Sequence, residues 1–139
     1  MTKRRVSRVY EWLLEYRDLV QDIDYLEHKL ERNEVEVKRW IEGDLEGVPL
    51  RRESIAANLE EIIEKIKQEI AFKHRQRDKL IQLVEKFEGL EHRILKLKYV
   101  DGYTLEAIAL KLNYSASHIK KKHAELIRLI RFVDSEGII

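Results

Sequence analysis

The densest run of reactive side chains is Lys120-Lys121-Lys122, with His118, His123, Lys111, Arg128 and Arg131 close by. Cations gathered at that density suit the binding of anionic groups rather than the making and breaking of bonds. His118 and His123 are five residues apart, which turns them to different faces of a helix. No His-Glu-x-x-His motif or partner carboxylate pattern accompanies them, so no metal site is expected. The 26 Asp plus Glu alternate with basic residues at helical spacing and single out no general acid and base. There is no glycine-rich phosphate loop, no nucleophile elbow and no cysteine. Neither an enzyme nor a bound cofactor is expected.

The elements that must position these cations follow from periodicity. Val9, Leu13, Tyr16, Val20, Ile23, Leu26 and Leu30 recur at steps of three and four, predicting an amphipathic helix from about Val6 to Ile41 with Ser7 as its cap. The only Gly/Pro cluster, Gly43 to Leu50, reads as a connector. Ile55, Leu59, Ile62, Ile66 and Ile70, resumed by Leu80, Val84 and Phe87, predict a second long helix over about Arg51–Phe87. Two such helices joined by a short connector are expected to pack as an antiparallel hairpin. Trp12 and Trp40 fall where they would pack in that hairpin or its connector.

Beyond Gly89 the pattern shortens to three helices, Glu91–Val100, Leu105–Leu112 and Ala116 to about Phe132. Gly102 can supply a positive φ after the first, and Thr104 and Ser115 are placed to cap the other two. Asn113-Tyr114-Ser115 makes the tight turn between them, with Asn113 tolerating a left-handed backbone where glycine is usual. Ala109 permits a close crossing, and Ile108, Leu112, Tyr114 and Ile119 fall at its buried positions. This is the pattern of a helix-turn-helix. Charge divides along the same line. The 139 residues sum to a net charge of +1, but from Gly89 onward nine basic side chains face six acidic ones.

Leu90-Glu91-His92-Arg93-Ile94-Leu95-Lys96-Leu97-Lys98-Tyr99, Gly102 to Ala109 and Leu112-Asn113-Tyr114-Ser115 together resemble sigma-factor region 4. The resemblance covers about fifty residues, departing from the pattern at Asn113 and at Lys122, where an apolar residue is common. It implies a module that reads promoter DNA and whose flanks touch RNA polymerase. Nothing in residues 1–88 is similar to the sigma module that melts promoters. The whole layout looks more like the RinA/ArpU-type activators of late genes in phages of Gram-positive bacteria.

The expectation is therefore an all-α protein, with a long N-terminal antiparallel helical hairpin (residues 1–88) for oligomerisation or protein contact. A sigma region 4-like helix-turn-helix (residues 89–139) would bind double-stranded DNA. On the third helix of such a motif, Ser117, His118 and Lys121 are assigned to base edges, and Lys120 and Lys122 mainly to phosphates. Tyr103 and Thr104 at a helix start are further phosphate candidates, with the cap Ser115 in the same DNA-facing set. The cations of Lys73–Lys79 have two readings: a solvated helix face, or a second contact to the DNA backbone. A homodimer is expected, because one helix-turn-helix seldom supplies enough affinity, with host RNA polymerase as a further partner. The basic start Met1–Arg5 leads into charged residues, and no apolar run spans a bilayer, so a cytoplasmic protein without signal peptide or membrane contact is expected. Two other classes share the ingredients. A small terminase subunit would form a ring on packaging sites, and a helical adaptor would use the sigma-like segment to bind protein.

Overall fold

A chain whose apolar residues recur every three or four positions, with one proline, satisfies its backbone most simply as helices. The computed structural model describes residues 8–42 and 49–136. It is all-α, with no strand among the described residues. The helices are α1 (Arg8–Leu14), α2 (Tyr16–Glu42), α3 (Pro49–Glu85), α4 (Gly89–Leu95), α5 (Leu105–Leu112) and α6 (Ala116–Ser135). A π-helical turn over Lys96–Val100 extends α4. The expected first helix is broken at Glu15, whose N–H is shared between the carbonyls of Glu11 and Trp12 at 3.2 Å each. The Ser7 cap and the connector residues 43–48 lie outside the described residues. α3 begins at Pro49, a first-turn position where the missing N–H costs no hydrogen bond.

The helices form two compact units. One unites the residues up to Leu19 with those from Gln76 onward, and the other is Val20–Arg75. These divisions differ from the expected boundary at 88/89, and the reason is a shared core. Val9, Leu13 and Tyr16 at the N-terminal end are buried with Leu80, Leu83 and Val84 from the end of α3. The same core holds Ile94, Leu95, Tyr99, Ile108, Ala109, Ile119, Leu126, Ile127 and Ile130. α1 packs along α6, which also receives α4 and α5. Asp134, only 3% exposed near the end of α6, accepts the Val9 N–H through Oδ2 at 3.2 Å. A carboxylate there satisfies an N–H that the first turn of α1 leaves open, and it complements that helix's dipole.

In the second unit Ile23, Leu26 and Val37 of α2, and Ala56, Ile63 and Ile66 of α3, are buried. Ile55, Leu59, Ile62 and Ile70 are only half-buried, so the stripe read from periodicity is centred about one residue away. Asp22 pairs with Lys73 at 3.5 Å and Glu27 with His74 at 3.4 Å. Each arm is ~30 Å or more of helix, whereas only six residues separate Glu42 from Pro49. Closing ion pairs at the far ends therefore requires the arms to run antiparallel. The His74 Nε2 atom is buried and lies 3.4 Å from Glu27 Oε1 without a hydrogen bond. α3 continues unbroken through the polar stretch at 73–77, where Lys73 and His74 meet these acids. In the first unit, Arg77 reaches Asp78 at 3.3 Å and Lys79 lies 5.5 Å from the Trp12 ring centre. Trp40 donates its ring N–H to Glu36 at 3.1 Å.

Candidate nucleic-acid interface

Three local features set the geometry of α5 and α6. The Thr104 hydroxyl accepts the Ala107 N–H, and the Ser115 hydroxyl accepts the His118 N–H, each at 3.1 Å, so both helices start with a side-chain cap. Each hydroxyl keeps its own hydrogen for donation to an outside group. Asn113 adopts φ 62, ψ 41, the left-handed conformation expected of it, which reverses the chain between the helices. Tyr114 N–H then closes onto the Ala109 carbonyl at 3.0 Å. Ile108, Ala109 and Ile119 are buried at the crossing, while Leu112 is half-buried and Tyr114 remains exposed. Leu110, 81% exposed, points away from it.

Burial of Ile119 decides which side chains face outward. Ser117, His118, Lys120 and Lys121 are exposed around it, and Lys122 is half-buried. His118, Lys121, Lys122 and Glu125 line one small surface cleft, as residues three and four apart on a helix must. The Tyr114 ring stacks on His118, with centroids 5.2 Å apart and planes inclined by 24°. Tyr103, half-exposed, donates its backbone N–H to the Leu97 carbonyl at 2.8 Å, and its ring centre lies 5.5 Å from the Lys111 ammonium.

The structure thus brings Ser115, Ser117, His118, Lys120, Lys121 and Lys122 together on one helix, and Tyr103 and Thr104 at the start of the helix it crosses. Lys120 differs from its neighbours. Its ammonium lies 3.0 Å from Glu106 Oε1 in the first turn of α5. That hydrogen bond, with the helix start, holds the Glu106 carboxyl below the usual range. Sequence spacing within one helix could not reveal this pair, since its partners sit on different helices. The Arg17 guanidinium escaped notice for the same reason. It lies so close to Gly102 (φ +81) that a Cβ there would collide with it.

Behind the outward face, the π-helical turn directs Tyr99 into the core. The Tyr99 hydroxyl and His123 Nε2 share a hydrogen bond of 2.6 Å with the rings stacked. Burial, then the neighbouring Tyr10, pushes the Tyr99 pKa well up. Burial also lowers His123 below its ordinary value of 6.5, assisted by the Lys98 charge. The sign of the pH effect follows. A histidine with a depressed folded pKa binds fewer protons folded than unfolded, so its neutral form supports the fold above about pH 6.5. That support is lost progressively as pH falls from there towards the depressed value. Urea unfolding of the wild type should accordingly weaken across this window, and His123→Gln should flatten the dependence. His28 acts in the opposite sense, because the Asp24 carbonyl and then its carboxylate raise its pKa, so the difference between the two proteins is the diagnostic quantity. Identical pH profiles would show that the ring is not held neutral.

Among the described residues no cluster of His, Asp or Glu could hold a metal ion, and no helix is long and apolar enough to cross a membrane. Comparison with protein-family models, curated proteins and solved structures finds no match.

Proposed function

We propose that this protein is a sequence-specific regulator of transcription that binds double-stranded DNA through α6. The observation that carries the reading is the exposure of Ser117, His118 and Lys121 on the amino-terminal half of α6. Behind that face Ile119 is sealed into a crossing with the capped helix α5. A helix presented in this way fits the major groove, with base edges read by its first two turns. Thr104, Ser115, Tyr103 and Lys122 supply donors for flanking phosphates. The resemblance to sigma region 4 and to RinA/ArpU-type activators supports a phage or prophage activator of late genes that works with host RNA polymerase as a homodimer.

The test is selection of bound duplexes from a random pool by the purified protein, followed by titration of the winner. Affinity should fall steeply with salt, since each neutralised phosphate releases counterions. Lys121→Ala should relax preference at one base pair and cost about 1–3 kcal/mol on the selected site. Failure to enrich any sequence would end the proposal. Enrichment of packaging sites by a ring-sized assembly would favour a small terminase subunit instead.

A further inference from the structure

We infer that Glu106 restrains Lys120 from reaching phosphate, so that this ion pair acts as a brake on sequence-independent DNA binding; the inference rests on the DNA-binding reading of α6. Lys120 and Glu106 stand 3.0 Å apart with their side chains 53% and 62% exposed. Solvent reaches both groups, so the pair contributes little to folding. Its position gives it another consequence. Lys120 follows the buried Ile119 and precedes Lys121 on the outward half of α6, while Glu106 follows the capped start of α5. An anionic strand approaching this face meets the Glu106 carboxylate beside Lys120, as well as Glu125 in the cleft with Lys121 and Lys122. The Glu106 carboxylate already occupies the ammonium whose place on the helix suits a phosphate contact. Counterion release counts the phosphates that are neutralised, so a lysine held by an acid of its own chain adds nothing to the count.

Lys121 and Lys122 have no such partner among the described ion pairs. The restraint thus falls on one member of the tri-lysine, and it separates Lys120 from its neighbours by geometry rather than by residue type. A direct reading role for Glu106 makes the opposite prediction. A carboxylate that accepts from a cytosine amino group would strengthen binding, and its loss would weaken it.

The test compares the full chain with Glu106→Gln, Lys120→Ala and the double variant on a random-sequence duplex, using fluorescence anisotropy over a range of sodium chloride. Glu106→Gln should tighten binding about three- to tenfold at low salt and steepen the log–log salt slope by about one unit. The same substitution in the Lys120→Ala background should change neither quantity, because no ammonium is left to release. Circular dichroism at each salt concentration confirms that the variants are folded. Equal tightening in both backgrounds would overturn the inference, showing only that a negative charge had been removed. Unchanged or weaker binding by Glu106→Gln would overturn it as well, while wild-type binding upheld the DNA reading. A wild type that binds no duplex at any salt would overturn both.

Discussion

A chain lacking residues 1–19 is expected to lose the cooperative unfolding transition of the core built around α6. Val9, Leu13 and Tyr16 are all buried in that core, Leu13 at 1% exposure, and they pack with Leu80, Val84 and the side chains of α6. Burying one such side chain is worth about 1.5–3 kcal/mol, so the three together contribute roughly 4.5–9 kcal/mol. That sum is comparable with the whole stability of a small domain, about 5–15 kcal/mol. The deletion also strips the Val9 N–H from Asp134, leaving a buried carboxylate without that donor. Thermal melting followed by circular dichroism, with amide exchange at Ile119 and Ile130, measures the effect. If the truncated chain melts within a few degrees of the full one, the shared core is not what holds the C-terminal helices together.

The second large effect should come from Ile119→Asp. Ile119 is fully buried where α6 crosses α5. A carboxylate placed there either stays charged in an apolar site or takes up a proton, and either course costs several kcal/mol, on the order of 3–5. Ile119→Val, which removes one methylene, should cost only about 0.5–1.5 kcal/mol and serves as the control for position. Calorimetry on both variants separates the readings. A melting temperature unchanged by Ile119→Asp would mean that the register of α6 is misassigned. Ser117, His118 and Lys121 would then no longer share the outward face.

Much of this was legible in the residues themselves, because the physics involved is local. Periodicity decides that a segment is helical and which stripe it buries. Hydroxyl side chains before the apolar runs at Leu105 and Ala116 produced the caps at Thr104 and Ser115, and Asn113 took the left-handed turn. The all-α class and the start and end of α5 follow from interactions within a few residues of each other. The π-helical turn did not, since no residue in Lys96–Val100 distinguishes a π turn from an α turn in isolation.

What needed tertiary structure was every pairing across helices. Nothing within Val9–Tyr16 says whether their stripe meets the second long helix or the far end of the chain, since apolar contact is non-directional. Val9 N–H meets Asp134, 125 residues away, and Tyr99 meets His123, 24 away. The candidate interface divides in the same way. Its cations and their helix were readable from type and spacing, because side-chain direction along one helix repeats every 3.6 residues. That Lys120 is held by Glu106 while Lys121 stands clear depended on how α5 and α6 cross. Only packing fixes a crossing, so only the folded chain could distinguish two adjacent lysines.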